Sequence, residues 1–93
     1  MRELTELRAE LDRIDEELVR LFVRRMSVSR QVAACKLEKG LPVLDASRER
    51  QVLDSRAAMA GDPDLEEPVR SLFREIMSLS RDAQTRWMDR RQA

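Results

Sequence analysis

The sequence predicts an all-α chain of three helices, one of them too long to be covered by the other two. Three observations predict this. Leu4, Leu11, Leu18, Arg25 and Val32 recur every seven residues, and so do Leu7, Ile14, Leu21, Val28 and Cys35. These two series fall on the a and d positions of a single seam. The two Gly and three Pro gather at Gly40 with Pro42, at Gly61 with Pro63, and at Pro68, so they cut the chain into three pieces. Nowhere does a run of alternating β-branched residues suggest a strand. At 93 residues the chain is read as one domain, 1–93.

The first helix is expected over about residues 3–38. It would be roughly 50 Å long, whereas a compact domain of this size has a radius of gyration of about 13 Å. Two shorter helices cannot cover its whole apolar seam. A second copy of the chain, with long helices side by side, resolves this and predicts a homodimer. The second helix is expected from Asp45 to Gly61. Asp45 suits the N-cap, Glu49 lies near the positive end of the helix dipole, and Gly61 suits the left-handed position after the last turn. Val52, Leu53, Ala57 and either Met59 or Ala60 supply its apolar face. The third helix is expected to start between Asp64 and Pro68, with Asp64 and Glu67 as a capping box or Pro68 at the first helical position. Val69, Leu72, Phe73, Ile76, Leu79, Ala83 and Trp87 form its inward stripe. The charged tail, residues 86–93, reads as a linker or a fraying helix end.

Composition narrows the function. Lys plus Arg and Asp plus Glu both total 18, so the formal net charge is zero. A general basic field for nucleic acid is therefore absent. Phe22, Phe73 and Trp87 are too few to stack on successive bases. There is no His and a single cysteine, Cys35, which excludes the usual zinc sites and His-dependent triads. No apolar run is long enough to span a bilayer, and the charged N-terminus lacks the core of a signal peptide. A soluble, cytoplasmic protein is expected.

Several polar residues sit on faces that should be apolar. Arg25 occupies an a position. It is either a register-specifying or snorkelling residue, or it marks a polar cavity that holds an anion. Lys36 lies eleven residues further on, close to three turns, so it projects from the same side roughly 16 Å along the axis. Either it serves the helix end, or it forms a second cation on one wall, with Ser29 between. Arg8 is about 25 Å before Arg25 and some 100° round the helix, so the two can share a pocket only across an antiparallel partner. Otherwise Arg8 is a solvated surface arginine. Ser80 and Gln84 are neighbours on one helix face. They either pack in a helix groove or present hydrogen-bonding groups to a ligand.

The segments LRAELDRIDEELVRLFVRR, DASRER and SLFREIMSLSRDAQ, together with Lys36, resemble the all-helical chorismate mutases over roughly residues 4–87. Arg8, Ile14 with Asp15, Arg25, Lys36, Asp45, Arg48 with Glu49, Ser80 and Gln84 fall at that family's spacing. The resemblance implies three helices per chain, interlocked with a partner in a six-helix homodimer with two active sites. It implies the rearrangement of chorismate to prephenate, a pericyclic step that needs no nucleophile, general base, metal or cofactor. Arg25 and Arg8 of the partner chain would then hold the substrate carboxylates. Lys36 and Gln84 would serve the ether oxygen, and Glu49, with the backbone near Asp45, the ring hydroxyl. Arg48 would orient Glu49 or shield the site, and Ser80 would contact a carboxylate or line the wall. Two alternatives are an isochorismate-pyruvate lyase of the same fold and a non-catalytic helical dimerisation module.

Overall fold

The computed structural model describes residues 1–92. Three α-helices and no strand occupy these residues: α1 over Leu4–Lys39, α2 over Ala46–Met59 and α3 over Pro63–Gln92. The expected punctuation sets their ends. Gly40 takes φ +68° after α1, and the Leu41 N–H reaches back to the Lys36 carbonyl at 2.8 Å. This closure satisfies an orphan carbonyl and needs a left-handed residue, a conformation that only glycine adopts cheaply. Lys36 and Lys39 lie in the same last turn, where the dipole favours cations. Asp45 caps α2 as expected, its carboxylate accepting from the Arg48 N–H at 3.0 Å.

The start of α3 differs from expectation. Asp62 accepts from the Asp64 N–H at 2.9 Å, and Pro63 is the first helical residue. Pro63 has no N–H to lose and its φ is already helical, so it starts α3 ahead of the expected Asp64–Glu67 box. Pro68 then lies inside the helix, at the cost of the bond its nitrogen would have donated to the Asp64 carbonyl. Glu67 is not part of a cap but pairs with Arg70 and Arg74 at 3.5 and 3.3 Å. At the other end α3 continues through the charged tail to Gln92, with the Arg91 guanidinium 4.5 Å from the Trp87 ring. The remaining tail position, Ala93, lies outside the described residues.

α3 packs against both other helices, while α1 and α2 do not pack on each other. The core is small: Ala33, Val52, Ala57, Met77 and Ala83 are its buried apolar residues. Phe22, Met26, Ser29, Ala33 and Leu37 of α1 are buried or half-buried, a stripe distinct from the heptad seam, and within it Met26 and Ser29 accept hydrogen bonds from α3. The buried small residues Ser29 and Ala33 let the helices approach closely. Two members of the expected α3 stripe, Leu72 and Leu79, face outward instead, and Met77 is buried in their place. On α2, Ala60 turns inward and Met59 is 73 % exposed.

The seam of α1 is uncovered in the single chain. Leu11, Leu18 and Leu21 are 56, 54 and 58 % exposed. Cys35, expected to be buried along that seam, is exposed too. The molecule measures 57 × 26 × 14 Å, with a radius of gyration of 16.7 Å against about 13 Å for a compact chain of this length. Among the described residues, no helix is long and apolar enough to cross a membrane.

Candidate active site

A cavity of about 320 Å³ opens between α1 and α2, with α3 as its floor. α1 contributes Arg25, Ser29 and Lys36. The first turns of α2 contribute Asp45, Arg48 and Glu49, and α3 contributes Ser80, Arg81 and Gln84. Seven of the eight expected site residues therefore converge. The eighth, Arg8, lies in the N-terminal half of α1, exposed and away from this cavity.

The polar side chains hold one another in place. Arg25 donates through Nη1 to Ser80 Oγ at 3.0 Å. Lys36 Nζ donates to the Val43 carbonyl at 2.6 Å and to Gln84 Oε1 at 3.2 Å. Gln84 Nε2 in turn donates to Ser29 Oγ at 2.9 Å. This chain fixes which way the buried amide points, because an ammonium group can only donate and so must face the amide oxygen. One Gln84 N–H and one Lys36 N–H remain for a ligand. Among the described residues, every buried side-chain nitrogen and oxygen has a hydrogen-bond partner.

Glu49 has a different partner from the expected one. Arg48 does not hold it; Arg48 donates to Gln51 on its own helix. Neighbouring helical residues diverge by about 100°, so Arg48 and Glu49 cannot both face the same group squarely. Arg81 rises from α3 instead and meets both Glu49 oxygens through Nη1, at 2.5 and 2.6 Å. Sequence reasoning missed Arg81, although it sits beside Ser80 and three residues before Gln84, a spacing that shares a face. It also missed Arg56, which reaches the cavity from the C-terminal half of α2.

The electrostatics favour an anion. Arg25, Lys36, Arg48, Arg56 and Arg81 line the cavity against Asp45 and Glu49, five cations to two carboxylates, an excess of three positive charges. Burial, then the charges of Arg56 and Arg48, push the Arg25 guanidinium below its ordinary value. Burial and like charge thus raise the cost of its positive charge, and an anion placed there would relieve that cost. No cluster able to hold a metal ion occurs among the described residues.

The chain matches the family "Chorismate mutase type II" over residues 7–85. It is 34 % identical over 82 residues to the bifunctional chorismate mutase/prephenate dehydratase of Aquifex aeolicus (strain VF5), covering 84 % of this chain and 23 % of that protein. The T-protein of Haemophilus influenzae (strain ATCC 51907 / DSM 11121 / KW20 / Rd) is 39 % identical over 56 residues, 60 % of this chain and 15 % of that protein. The chorismate mutase of Methanocaldococcus jannaschii (strain ATCC 43067 / DSM 2661 / JAL-1 / JCM 10045 / NBRC 100440) is 24 % identical over 90 residues, covering 96 % of this chain and 91 % of that protein. The chain therefore spans less than a quarter of the first two relatives and nearly all of the third. No solved structure matches it. With a match running through all three helices and every cavity-forming segment, this chain belongs to the chorismate mutase type II family.

Proposed function

We propose that the chain rearranges chorismate to prephenate as an interlocked six-helix homodimer. The Lys36–Gln84–Ser29 chain carries this reading. It holds donors in a cationic cavity, and a pericyclic step needs no nucleophile. Chorismate carries two carboxylates, and its reactive form folds the enolpyruvyl arm over the ring. Water favours the extended form, so holding both carboxylates lowers the conformational and entropic part of the barrier. Arg25, steadied by Ser80, grips one carboxylate. Arginine suits this role because its planar fork meets a carboxylate bidentately.

Negative charge grows on the ether oxygen as its C–O bond breaks. The free N–H groups of Lys36 and Gln84 meet that charge, and donors fixed before the reaction favour the transition state over the ground state. Glu49, held by Arg81, accepts from the ring hydroxyl near Asp45. Arg8 of the partner chain completes the site, and the uncovered seam of α1 is the surface through which the partner reaches it. Burying Leu11, Leu18 and Leu21 there returns exposed apolar area to a core, at about 25 cal/mol per Å².

Loss of chorismate absorbance, coupled to product identification, tests the reading. Prephenate is the expected product; pyruvate would identify the lyase alternative, and no conversion would favour a non-catalytic module. Gln84 is neutral at every working pH, so activity should persist at pH 7. A profile confined below about pH 5, where carboxylates protonate, would contradict the role given to Gln84. A third expected result separates neighbours on α2. Glu49→Ala should lower kcat/KM far more than Arg50→Ala, since Glu49 lines the cavity and Arg50 is exposed outside it. Equal losses would remove Glu49 from the site.

A further inference from the structure

The hydrogen bonds leave one end of the cavity unbalanced. α1 runs from Arg25 to Lys36, the chain turns at Gly40, and α2 runs back from Asp45 past Arg56. Lys36 and Asp45 lie at the turn. Arg56 is eleven residues beyond Asp45, roughly 16 Å along the axis, and so is Arg25 from Lys36. Arg25 and Arg56 therefore occupy the far end, one on each wall.

The other cations of the cavity have substantial partners: Arg81 has Glu49, Arg48 has Gln51, and Lys36 has a carbonyl and an amide oxygen. Among the described residues, the side chains of Arg25 and Arg56 each hydrogen-bond only to a hydroxyl. Arg56 donates to Ser55 Oγ at 2.8 Å, and its guanidinium lies 5.9 Å from the centre of the Phe73 ring. Neither arginine forms an ion pair among the described residues. Of the neighbouring charges that act against the Arg25 guanidinium, that of Arg56 is the largest, after the effect of burial. A surface arginine with no task extends its head group into water. Arg56 is instead half-buried, held by Ser55 and Phe73 beside another cation.

We infer that Arg56 is a substrate-binding residue, which with Arg25 clamps a single carboxylate from both walls within one protomer. The inference rests on the substrate reading above and adds to it a second intrachain ligand. A carboxylate keeps its charge between ground and transition states, so this contact strengthens both equally. Its loss should appear in KM and leave kcat nearly unchanged.

Arg56→Met keeps the aliphatic packing against Phe73 and removes the charge, while Arg56→Lys keeps the charge without the fork. Arg56→Met is expected to raise KM for chorismate about tenfold, the low end for losing a hydrogen bond to a charged group. Its kcat should stay within about twofold of wild type, and Arg56→Lys should recover part of the loss. Prephenate, a dicarboxylate that does not react further here, should bind Arg56→Met more weakly by the same factor in calorimetric titration. Unchanged KM and prephenate affinity, with normal wild-type turnover, would overturn the inference and leave the mutase function standing. Weaker prephenate binding by Arg56→Met, in a protein whose wild type does not turn over chorismate, would support the clamp and sink the mutase function instead. A lower kcat and melting temperature at unchanged KM would mark a packing role at Phe73 and also overturn the inference.

Discussion

Lys36→Ala should lower kcat for chorismate by about 1,000-fold, while Lys39→Ala should leave it unchanged. The two lysines share the last turn of α1 and the same favourable position in the helix dipole. They differ in what they touch. Lys36 is anchored by the Val43 carbonyl and by Gln84, and it lines the cavity; Lys39 is exposed. The comparison therefore removes helix stability from the question. The size of the effect follows from timing. In the proposed mechanism the ether oxygen gains its negative charge only as the bond breaks, so a fixed cationic donor acts mainly on the transition state and its loss falls on kcat. Losing one preorganised donor costs roughly 3–4 kcal/mol, and the upper end corresponds to about 1,000-fold. Lys36 also turns the Gln84 amide, so its removal leaves that second donor free to rotate. A Lys36→Ala variant within tenfold of wild type in kcat would end the assignment.

The second large effect concerns two arginines in different chains. Arg8→Ala and Arg25→Ala should each be nearly inactive alone. Refolded together in equal amounts, they should recover about a quarter of the wild-type activity. In the proposed dimer each site pairs Arg25 of one chain with Arg8 of the other. A mixed dimer then holds one intact site and one site missing both groups. Random pairing makes half the dimers mixed, and half of their sites are intact. A site built within one chain gives no recovery on mixing, because every chain carries a defect. The geometry motivates the test: Arg8 is exposed and absent from the cavity, and on a straight helix it lies about 25 Å from Arg25. Native mass spectrometry of the same mixture checks that mixed dimers form, so that a lack of recovery can be read. Mixed dimers without recovered activity would remove Arg8 from the site.

Both expectations begin in the sequence, but the sequence carried them unequally. The helix boundaries were legible because their signals are local. Gly40 and Gly61 need a left-handed backbone, and Asp45 reaches an N–H only three residues away. Lys36 and Arg25 were legible because a fixed rise and twist per residue put them on one side of α1. The start of α3 was misplaced because Asp62 and Asp64 both offer capping carboxylates two residues apart. Pro63 decides between them by filling the first helical position. The stripe predicts Leu72 and Leu79 inward, yet both face outward, because a hydrophobic stripe shows which face is apolar, not which neighbour covers it.

What the sequence by itself determined is the set of elements: three helices, their caps, the long seam, and a row of polar residues at family spacing. These depend on interactions within a turn or two, which residue order encodes directly. Only the tertiary structure decided how side chains on different helices meet. Arg81 holds Glu49 across 32 residues, Gln84 meets Ser29 across 55, and Arg56 reaches the cavity from the far wall of α2. Such contacts depend on the rotation and offset of one helix against another. Buried Ser29, Ala33 and Ala83 set that offset through close packing, and no local periodicity specifies it.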